Sequence, residues 1–224
     1  MVIRPHLWRI GQPRPAFVTL YDITPLISER LQVWPGDTPP AREVLCDLGR
    51  GDSITLSTLH ATVHLGAHAD APSHYGVGAP GIHARSLEYY LGRCQVLRLD
   101  VPRGTCITPA VLSSAVSAER VLLATGTYPD PEHFNEDFAS LAPELVEFMH
   151  GRGVKLIGID TPSVDPFASK ELPAHKAFLK YDMAILEGLV LQDVPAGFYE
   201  LIALPLRLEG FDASPVRAVL RTLG

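Results

Sequence analysis

The eleven residues from His64 to His74, HLGAHADAPSH, constrain most strongly what this chain can fold into. They hold three of the nine histidines of the chain together with one aspartate. Gly66, Pro72 and the β-rich residues before them argue against a helix, so we expect a strand here. On a straight strand the first two histidines would lie about 13 Å apart, too far for both rings to share one ion. We therefore expect the chain to bend at Gly66, and Pro72 to turn His74 back toward the other histidines.

The side chains of this segment favour a metal site. Neutral imidazole and carboxylate are the usual ligands of zinc and other first-row divalent ions where no thiolate is available. The candidate ligands are His64, His68 and Asp70, with His74 close by. A single histidine would more commonly be an ordinary surface or core residue. Three histidines beside one aspartate at this spacing make that the weaker interpretation.

Composition excludes several other classes of protein. The 224 residues carry a formal net charge of −6 and show no basic patch, which argues against a nucleic-acid partner. No apolar run approaches the roughly 20 residues of a membrane-spanning helix, so we expect no membrane partner. Residues 1–17 lack the apolar core of a signal peptide, and we expect a cytoplasmic protein. Cys46, Cys94 and Cys106 form no C-x-x-C pair, so neither a disulfide framework nor a cysteine zinc site is indicated.

The order of predicted elements indicates an α/β protein. We expect a single domain with a large mixed β-sheet core and few helices, over residues 18–224, preceded by a flexible arm at residues 1–17. The predicted strands include 18–24, 94–101, 120–126, 154–160, 189–194, 199–206 and 215–223, with a β-rich stretch at 53–70. The predicted helices are 86–92, 108–115 and, most clearly, 140–153, where Gly151 marks the end.

The histidine segment has a counterpart in a known family. HLGAHADAPSHY is similar to the H-x-G-[TA]-H-x-D-x-P-x-H signature of the cyclase-like metal hydrolases, whose best-known branch is the bacterial kynurenine formamidases. Ala67 stands where much of the wider family has Thr, and Ala suits the formamidase branch. Further similar blocks follow the family's order, and they extend the resemblance from Tyr21 to the C-terminus: VWPGDTP (33–39), GIDTPSVDP (158–166), SKELPAH (169–175) and ILEGLVL (185–191). The fold it implies is the swivelling β/β/α fold of that family.

The resemblance implies a role for each matching residue. Five residues would hold two divalent metal ions per chain, zinc or alternatively manganese: His64, His68, Asp70, His175 and Glu187. Asp70 and Glu187 would each bridge the two ions. His74 would act as the proton shuttle, and Trp34 would line the substrate pocket.

Without the resemblance, several of these residues have ordinary explanations. His175 would be a surface histidine, Glu187 a glutamate at a helix end, and Trp34 an anchor for a turn. Three polar residues at the end of a predicted strand stay unassigned, because such residues either reach an active-site loop or only shape the turn: Asp160, Ser163 and Asp165.

The implied reaction is hydrolysis of N-formyl-L-kynurenine to L-kynurenine and formate, a step of tryptophan degradation. A metal-activated water would attack, and His74 would move the proton. The main alternative is an isatin-hydrolase-like enzyme, or another cyclic-amide hydrolase of the same superfamily. A non-catalytic metal-binding protein is a further alternative. The absence of a G-x-S-x-G motif excludes a serine formamidase. The resemblance also suggests a homodimer.

Overall fold

The computed structural model describes residues 18–223. The predicted arm at residues 1–17 lies outside the described residues and stays a prediction. The described strands are β1 (Leu20–Asp22), β2 (Ala41–Cys46), β3 (Leu56–His60), β4 (His68–Asp70), β5 (Leu91–Arg98), β6 (Cys106–Ile107), β7 (Arg120–Ala124), β8 (Ser140–Leu141), β9 (Leu156–Ile159), β10 (Ala184–Glu187), β11 (Gly197–Ile202), β12 (Ala213–Pro215) and β13 (Val219–Thr222). The α-helices within 18–223 are α1 (Pro143–His150) and α2 (Pro173–Tyr181).

Nine strands form one mixed sheet in the order β1-β13-β11-β5-β7-β9-β10-β4-β12. The central strands β5, β7, β9 and β10 run parallel to one another. The outer strands pair antiparallel. The predicted large mixed sheet with few helices is therefore confirmed. Because the central strands are parallel, their carboxyl ends lie along one edge of the sheet.

Both faces of this sheet are covered, and the central strands are buried on each side. Every residue of β7 is buried, as expected for a parallel strand between two layers. Val121 and Leu123 pack toward α1 and α2, together with Leu145 and Phe178 of those helices. Leu122 packs into the apolar layer on the opposite face. Neither α-helix of the described chain has the length and apolarity needed to cross a bilayer.

The strongest helix prediction is confirmed with a later start. Helix α1 begins at Pro143 rather than at 140, because Ser140–Leu141 pairs with Cys106–Ile107 as a short parallel ladder. Proline fits the first helical turn, where its missing N–H has no intrahelical partner. The helix ends at His150, next to the predicted terminator Gly151.

The two other predicted helices are wrong as α-helices. Residues 86–92 contain a single 3₁₀ turn at Leu87–Tyr89, since β5 already begins at Leu91. Residues 108–115 likewise contain only the 3₁₀ turn Pro109–Val111. Both segments are short and lie next to β-strands, and so few residues form too few helical hydrogen bonds to offset the unfavourable nucleation of an α-helix.

The predicted strand at 189–194 is also wrong. This segment is a loop with buried Leu189, Leu191 and Val194 side chains. Leu189 N donates to Ile159 O at 3.2 Å and Val190 N donates to Ile23 O at 2.9 Å. Farther along the loop, backbone carbonyls accept hydrogen bonds from Arg98 instead of from a neighbouring strand. The apolar side chains of this segment pack into the core although its backbone forms no ladder with a neighbouring strand. Hydrophobicity alone does not distinguish such a loop from a buried strand.

Candidate metal centre

The histidine segment bends where the sequence predicts. Gly66 has φ of 56°, in the left-handed region, and β4 starts two residues later at His68. Pro72 opens a 3₁₀ turn that ends at His74. Gly188, with φ of 65°, lies directly against the carbonyl oxygen of Gly66, where a Cβ would overlap it. The two glycines therefore let the histidine segment and the end of β10 approach each other.

The register of β4 and β10 sets three candidate ligands on one face. Glu187 lies opposite His68, and Asp70 follows two residues farther along β4. Residues two apart on a strand point to the same side. The Oε2 of Glu187 lies 3.2 Å from Nε2 of His68, and all three side chains are buried. A second carboxylate contact comes from Asp70 Oδ1, 3.5 Å from the same nitrogen.

His64 completes the first half of the centre from the other side of the bend. Its Nδ1 lies 3.1 Å from Asp70 Oδ1, and its ring centroid lies 5.0 Å from that of His68. The bend at Gly66 thus brings the His64 and His68 rings closer together than a straight strand would allow.

His175 reaches the centre from helix α2, which the sequence does not predict. The residue before this helix, Leu172, provides no side-chain hydrogen bond to the N-terminal end of the helix. Instead, Asp165 accepts hydrogen bonds from the backbone N–H groups of Ala174 and His175 at 2.9 and 3.0 Å. The same carboxylate accepts from Nδ1 of the His175 ring at 2.7 Å. The other ring nitrogen then points at Asp70 Oδ2, 3.3 Å away.

The donor set fits a divalent metal. His68 donates from Nδ1 to Gly66 O at 2.8 Å, so Nε2 is the ring nitrogen that faces the carboxylate oxygens of Asp70 and Glu187. Within residues 18–223, His68 Nε2 and Asp70 Oδ1 are buried and make no hydrogen bond. Buried polar atoms without a partner are rare in native proteins, and a cation would satisfy both atoms at once.

Among residues 18–223, potential ligand atoms gather in three overlapping groups, each with its atoms within 4.8 Å of one another. The groups are His64–His68–Asp70, Asp70–His74–His175 and His64–His74–Asp212. Asp70 belongs to two of them, which is the position expected of a bridging carboxylate. Glu187 also spans the centre, with Oε1 3.7 Å from His175 Nε2. The structure thus brings together all five residues predicted as ligands.

The electrostatics of the centre attract positive charge. Burial by itself would lower the pKa of His64, but the nearby carboxylates of Asp70 and Asp212 outweigh it and raise the pKa to about 9. Burial likewise opposes the charged form of His175, and its contacts with Asp165 and Asp70 raise the pKa to about 10. Burial disfavours the charged form of Asp70 too, yet His175 and His64 hold its pKa well below the ordinary value. In the metal-free protein, protons on His64 and His175 therefore neutralise part of the carboxylate charge that a bound cation would neutralise.

His74 lies at the exposed side of the centre. Its ring centroid is 4.3 Å from that of His64 and 5.9 Å from that of His175. Asp212 Oδ2 lies 3.3 Å from His74 Nδ1 and 3.1 Å from His64 Nε2. Asp212 is not predicted from the sequence, because it stands 138 residues from His74 and carries no local motif.

A cavity of about 690 Å³ opens onto these residues, within the size range of small-molecule sites. Trp34 lines it together with Tyr128 and Phe134. The indole ring lies 5.8 Å from the Phe134 ring and 4.9 Å from that of Phe167 behind it. Trp34 is therefore part of an aromatic wall that faces the same space as the histidines.

The three unassigned polar residues mainly hold loops in place. Asp160 accepts from the backbone N–H of Thr125 and of Gly126, each at 2.8 Å, and it also lines the cavity. Ser163 Oγ accepts from the N–H of Asp165 at 3.1 Å and positions the carboxylate that holds His175.

Comparison with known proteins places these features in a family. Residues 21–166 match the family model Cyclase, described as "Putative cyclase". The kynurenine formamidase of Bordetella petrii is 46% identical to the chain over 208 residues, which cover 92% of the chain and 99% of that protein.

Solved structures share the fold. A "predicted metal-dependent hydrolase" from Bacillus stearothermophilus superposes with a TM-score of 0.77 at 29% identity, covering 92% of this chain and 99% of that one. Isatin hydrolase A from Labrenzia aggregata superposes with a TM-score of 0.81 at 20% identity, covering 92% and 94% of the two chains. At that identity the second likeness concerns the fold alone.

Proposed function

The chain belongs to the Cyclase family, and from that membership we propose that it is a metal-dependent amidohydrolase that converts N-formyl-L-kynurenine and water to L-kynurenine and formate. The observation that carries this proposal is the likeness to the Bordetella petrii kynurenine formamidase over nearly the whole length of both chains. The buried group of histidines and carboxylates beside an aromatic cavity supports it independently. The reaction is a step of tryptophan degradation.

We propose that the centre holds two divalent ions per chain. His64, His68 and Asp70 would hold the first ion, and His175 would join Asp70 at the second. Glu187 reaches both, as its contacts with His68 and His175 suggest. Zinc suits imidazole and carboxylate ligands, and manganese is the alternative. Bound divalent ions lower the pKa of water toward neutrality and polarise a carbonyl oxygen.

In this mechanism His74 moves the proton. Its Nδ1 lies against Asp212, which leaves Nε2 free to accept a proton from water as the water oxygen attacks the formyl carbon. The carbon–nitrogen bond of the formamide then breaks. An aryl amine leaves poorly as an anion, so His74 returns the proton to the departing nitrogen. Its exposed position beside the buried ligands allows both transfers.

The aromatic wall orients the substrate. N-formylkynurenine carries a flat benzene ring, and the Trp34 and Phe134 rings, set edge to face at 83°, offer apolar surface beside the centre. Substrate held there places its formamide close to the ligands while the rest of the molecule extends into the cavity.

The isatin-hydrolase alternative is less well supported. Isatin hydrolase A shares the fold at 20% identity, whereas the formamidase relative shares 46% of its residues with this chain. A panel of N-formylkynurenine, isatin and formanilide, assayed with added zinc or manganese, separates the two. We expect the highest kcat/KM for N-formylkynurenine. A preference for isatin would refute the formamidase assignment and leave the metal chemistry intact.

We further propose a homodimer in the cytoplasm. The hairpin of β2 and β3 lies outside the nine-stranded sheet and exposes Val44, Leu45, Leu56 and Leu59. A two-stranded hairpin is marginally stable alone, and a second copy of the chain would cover these side chains. Free cysteines suit a reducing compartment. Light scattering after size exclusion should give twice the chain mass, and a monomer at micromolar concentration would refute the dimer.

A further inference from the structure

One cation lies in the cavity away from the metal centre. Among the described residues that line the cavity, Arg98 is the only arginine or lysine. Apart from its histidines, the other charged side chains of the lining are all acidic: Asp37, Asp160, Glu187 and Asp212. An anionic part of a bound molecule therefore has one favourable place in this cavity.

The backbone holds Arg98 in a fixed orientation. Its Nη1 donates to the carbonyl oxygens of Leu191, Gln192 and Val194 at 3.1, 3.1 and 3.0 Å. Within the part of the chain that the structure describes, Nε and Nη2 make no hydrogen bond and no carboxylate pairs with the guanidinium. Half of the guanidinium thus anchors the 191–194 loop, and its remaining donors are free for a planar anion.

The proposed substrate is shorter than the distance between the two strands, and side chains at both ends bring that distance within its reach. Arg98 ends β5, and Glu187 ends β10 at the same edge of the sheet. The two strands are separated by β7 and β9, so three interstrand steps of about 4.8 Å place them about 14 Å apart. In N-formylkynurenine, about seven covalent bonds join the formyl carbon to the α-carboxylate carbon, which span about 8 Å when extended. The side chains on both strands cover the remainder.

We propose that Arg98 binds the α-carboxylate of the substrate and so determines specificity for an amino-acid formamide. The inference rests on the proposed function and names the part of the site that recognises the amino-acid end. The aromatic wall would accept any aryl formamide of this size. Arg98 distinguishes those that carry a carboxylate.

The test uses two substrates and four forms of the metal-loaded, full-length enzyme. N-formylkynurenine carries the carboxylate, and N-formylkynuramine is the same aryl formamide without it. Arg98→Gln removes the charge but keeps an amide that can donate to the 191–194 carbonyls, and Arg98→Lys keeps the charge without the fork. Arg93→Gln is the matched control on the same strand, because Arg93 stacks on Phe198 outside the cavity.

We expect Arg98→Gln to lower kcat/KM for N-formylkynurenine by about 10- to 100-fold, mainly through KM, and to leave N-formylkynuramine unchanged. Arg98→Lys should lose less, and Arg93→Gln should behave as wild type. An equal loss with both substrates would overturn the proposal, since Arg98 would then act only by anchoring the loop. Wild-type enzyme that uses both substrates equally well would overturn it too, while the formamidase activity would stand. Wild-type enzyme that hydrolyses neither would refute the proposed function, and this inference with it.

Discussion

Asp165 Oδ2 accepts a hydrogen bond from Nδ1 of His175 at 2.7 Å and thereby fixes which ring nitrogen faces Asp70. Carboxylates that hold the second nitrogen of a ligating histidine raise its basicity and set its orientation. Asp165 also accepts from two backbone N–H groups at the start of α2. One buried side chain therefore positions both the helix and the ligand that the helix carries.

Asp165→Asn should weaken metal binding without unfolding the protein. The amide oxygen still accepts from the backbone N–H of Ala174, but the amide NH2 replaces the oxygen that accepts from His175, and the charge that polarises the His175 ring is lost. Changes of this kind cost about 10- to 100-fold in metal affinity. Competition with a chelator measures the loss. Asp182→Asn, at the other end of α2 and in contact with Arg85 and Tyr89, is the matched control. Equal affinities in the two variants would show that Asp165 serves only the helix.

His74→Asn should separate proton transfer from metal binding. If His74 is the proton shuttle, both ions stay bound while kcat falls by about 10²- to 10⁴-fold. Metal analysis and steady-state kinetics on the same preparation decide the matter. The exposed His133, paired with Asp130, provides the control variant His133→Asn. Loss of metal along with activity would make His74 a ligand, a role its position near Asp70 and His175 also permits geometrically.

Metal uptake by the metal-free protein should release protons near neutral pH. The pKa of His64 is raised to about 9 and that of His175 to about 10, from an ordinary 6.5, so both rings hold a proton at pH 7.5. A metal displaces those protons. Calorimetry in buffers of different ionisation enthalpy counts them, and we expect about two per chain. Uptake without proton release would contradict the assignment of these rings as ligands.

The same raised pKa values give the metal-free protein a pH-dependent stability. A group whose pKa is higher in the folded state stabilises that state fully below the unfolded value of about 6.5. The contribution is lost as pH rises through about 9 for His64 and about 10 for His175. Denaturant unfolding of the metal-free protein should therefore show stability falling between pH 7 and pH 10.

Trp34→Ala should raise KM for N-formylkynurenine and leave the metal content unchanged. An aromatic contact is worth about 0.5–1.5 kcal/mol beyond the buried area, so KM should rise by at least about 2- to 10-fold. Trp34→Phe should recover part of the loss. Phe198→Ala, which removes an exposed ring on β11, serves as the control. A fall in metal content would instead show that Trp34 supports the fold of the centre.

Local sequence was sufficient to predict the part of the metal centre that residues 64–74 supply. The bend at Gly66 follows from the freedom of glycine to adopt a positive φ, and the turn at Pro72 follows from the restricted φ of proline. The continuous runs of apolar residues were likewise sufficient for β7 and β9, because both strands are buried on two faces.

Long-range contacts decided what could not be predicted. Helix α2 lacks a local cap and is held instead by Asp165, eight residues before its first residue. Asp212 lies 148 and 138 residues from His64 and His74, so only the tertiary fold brings the three together. The 189–194 run has the hydrophobicity of a strand, but Arg98 takes the carbonyls that a neighbouring strand would have used.

Activity measured against metal loading tests the central claim most directly. Protein stripped of metal with a chelator is titrated with zinc, and hydrolysis of N-formyl-L-kynurenine is followed at each step. We predict no turnover without metal and a rise that reaches its plateau at about two ions per chain. Full activity in the metal-free protein, or none at any loading with zinc or manganese, would contradict the account.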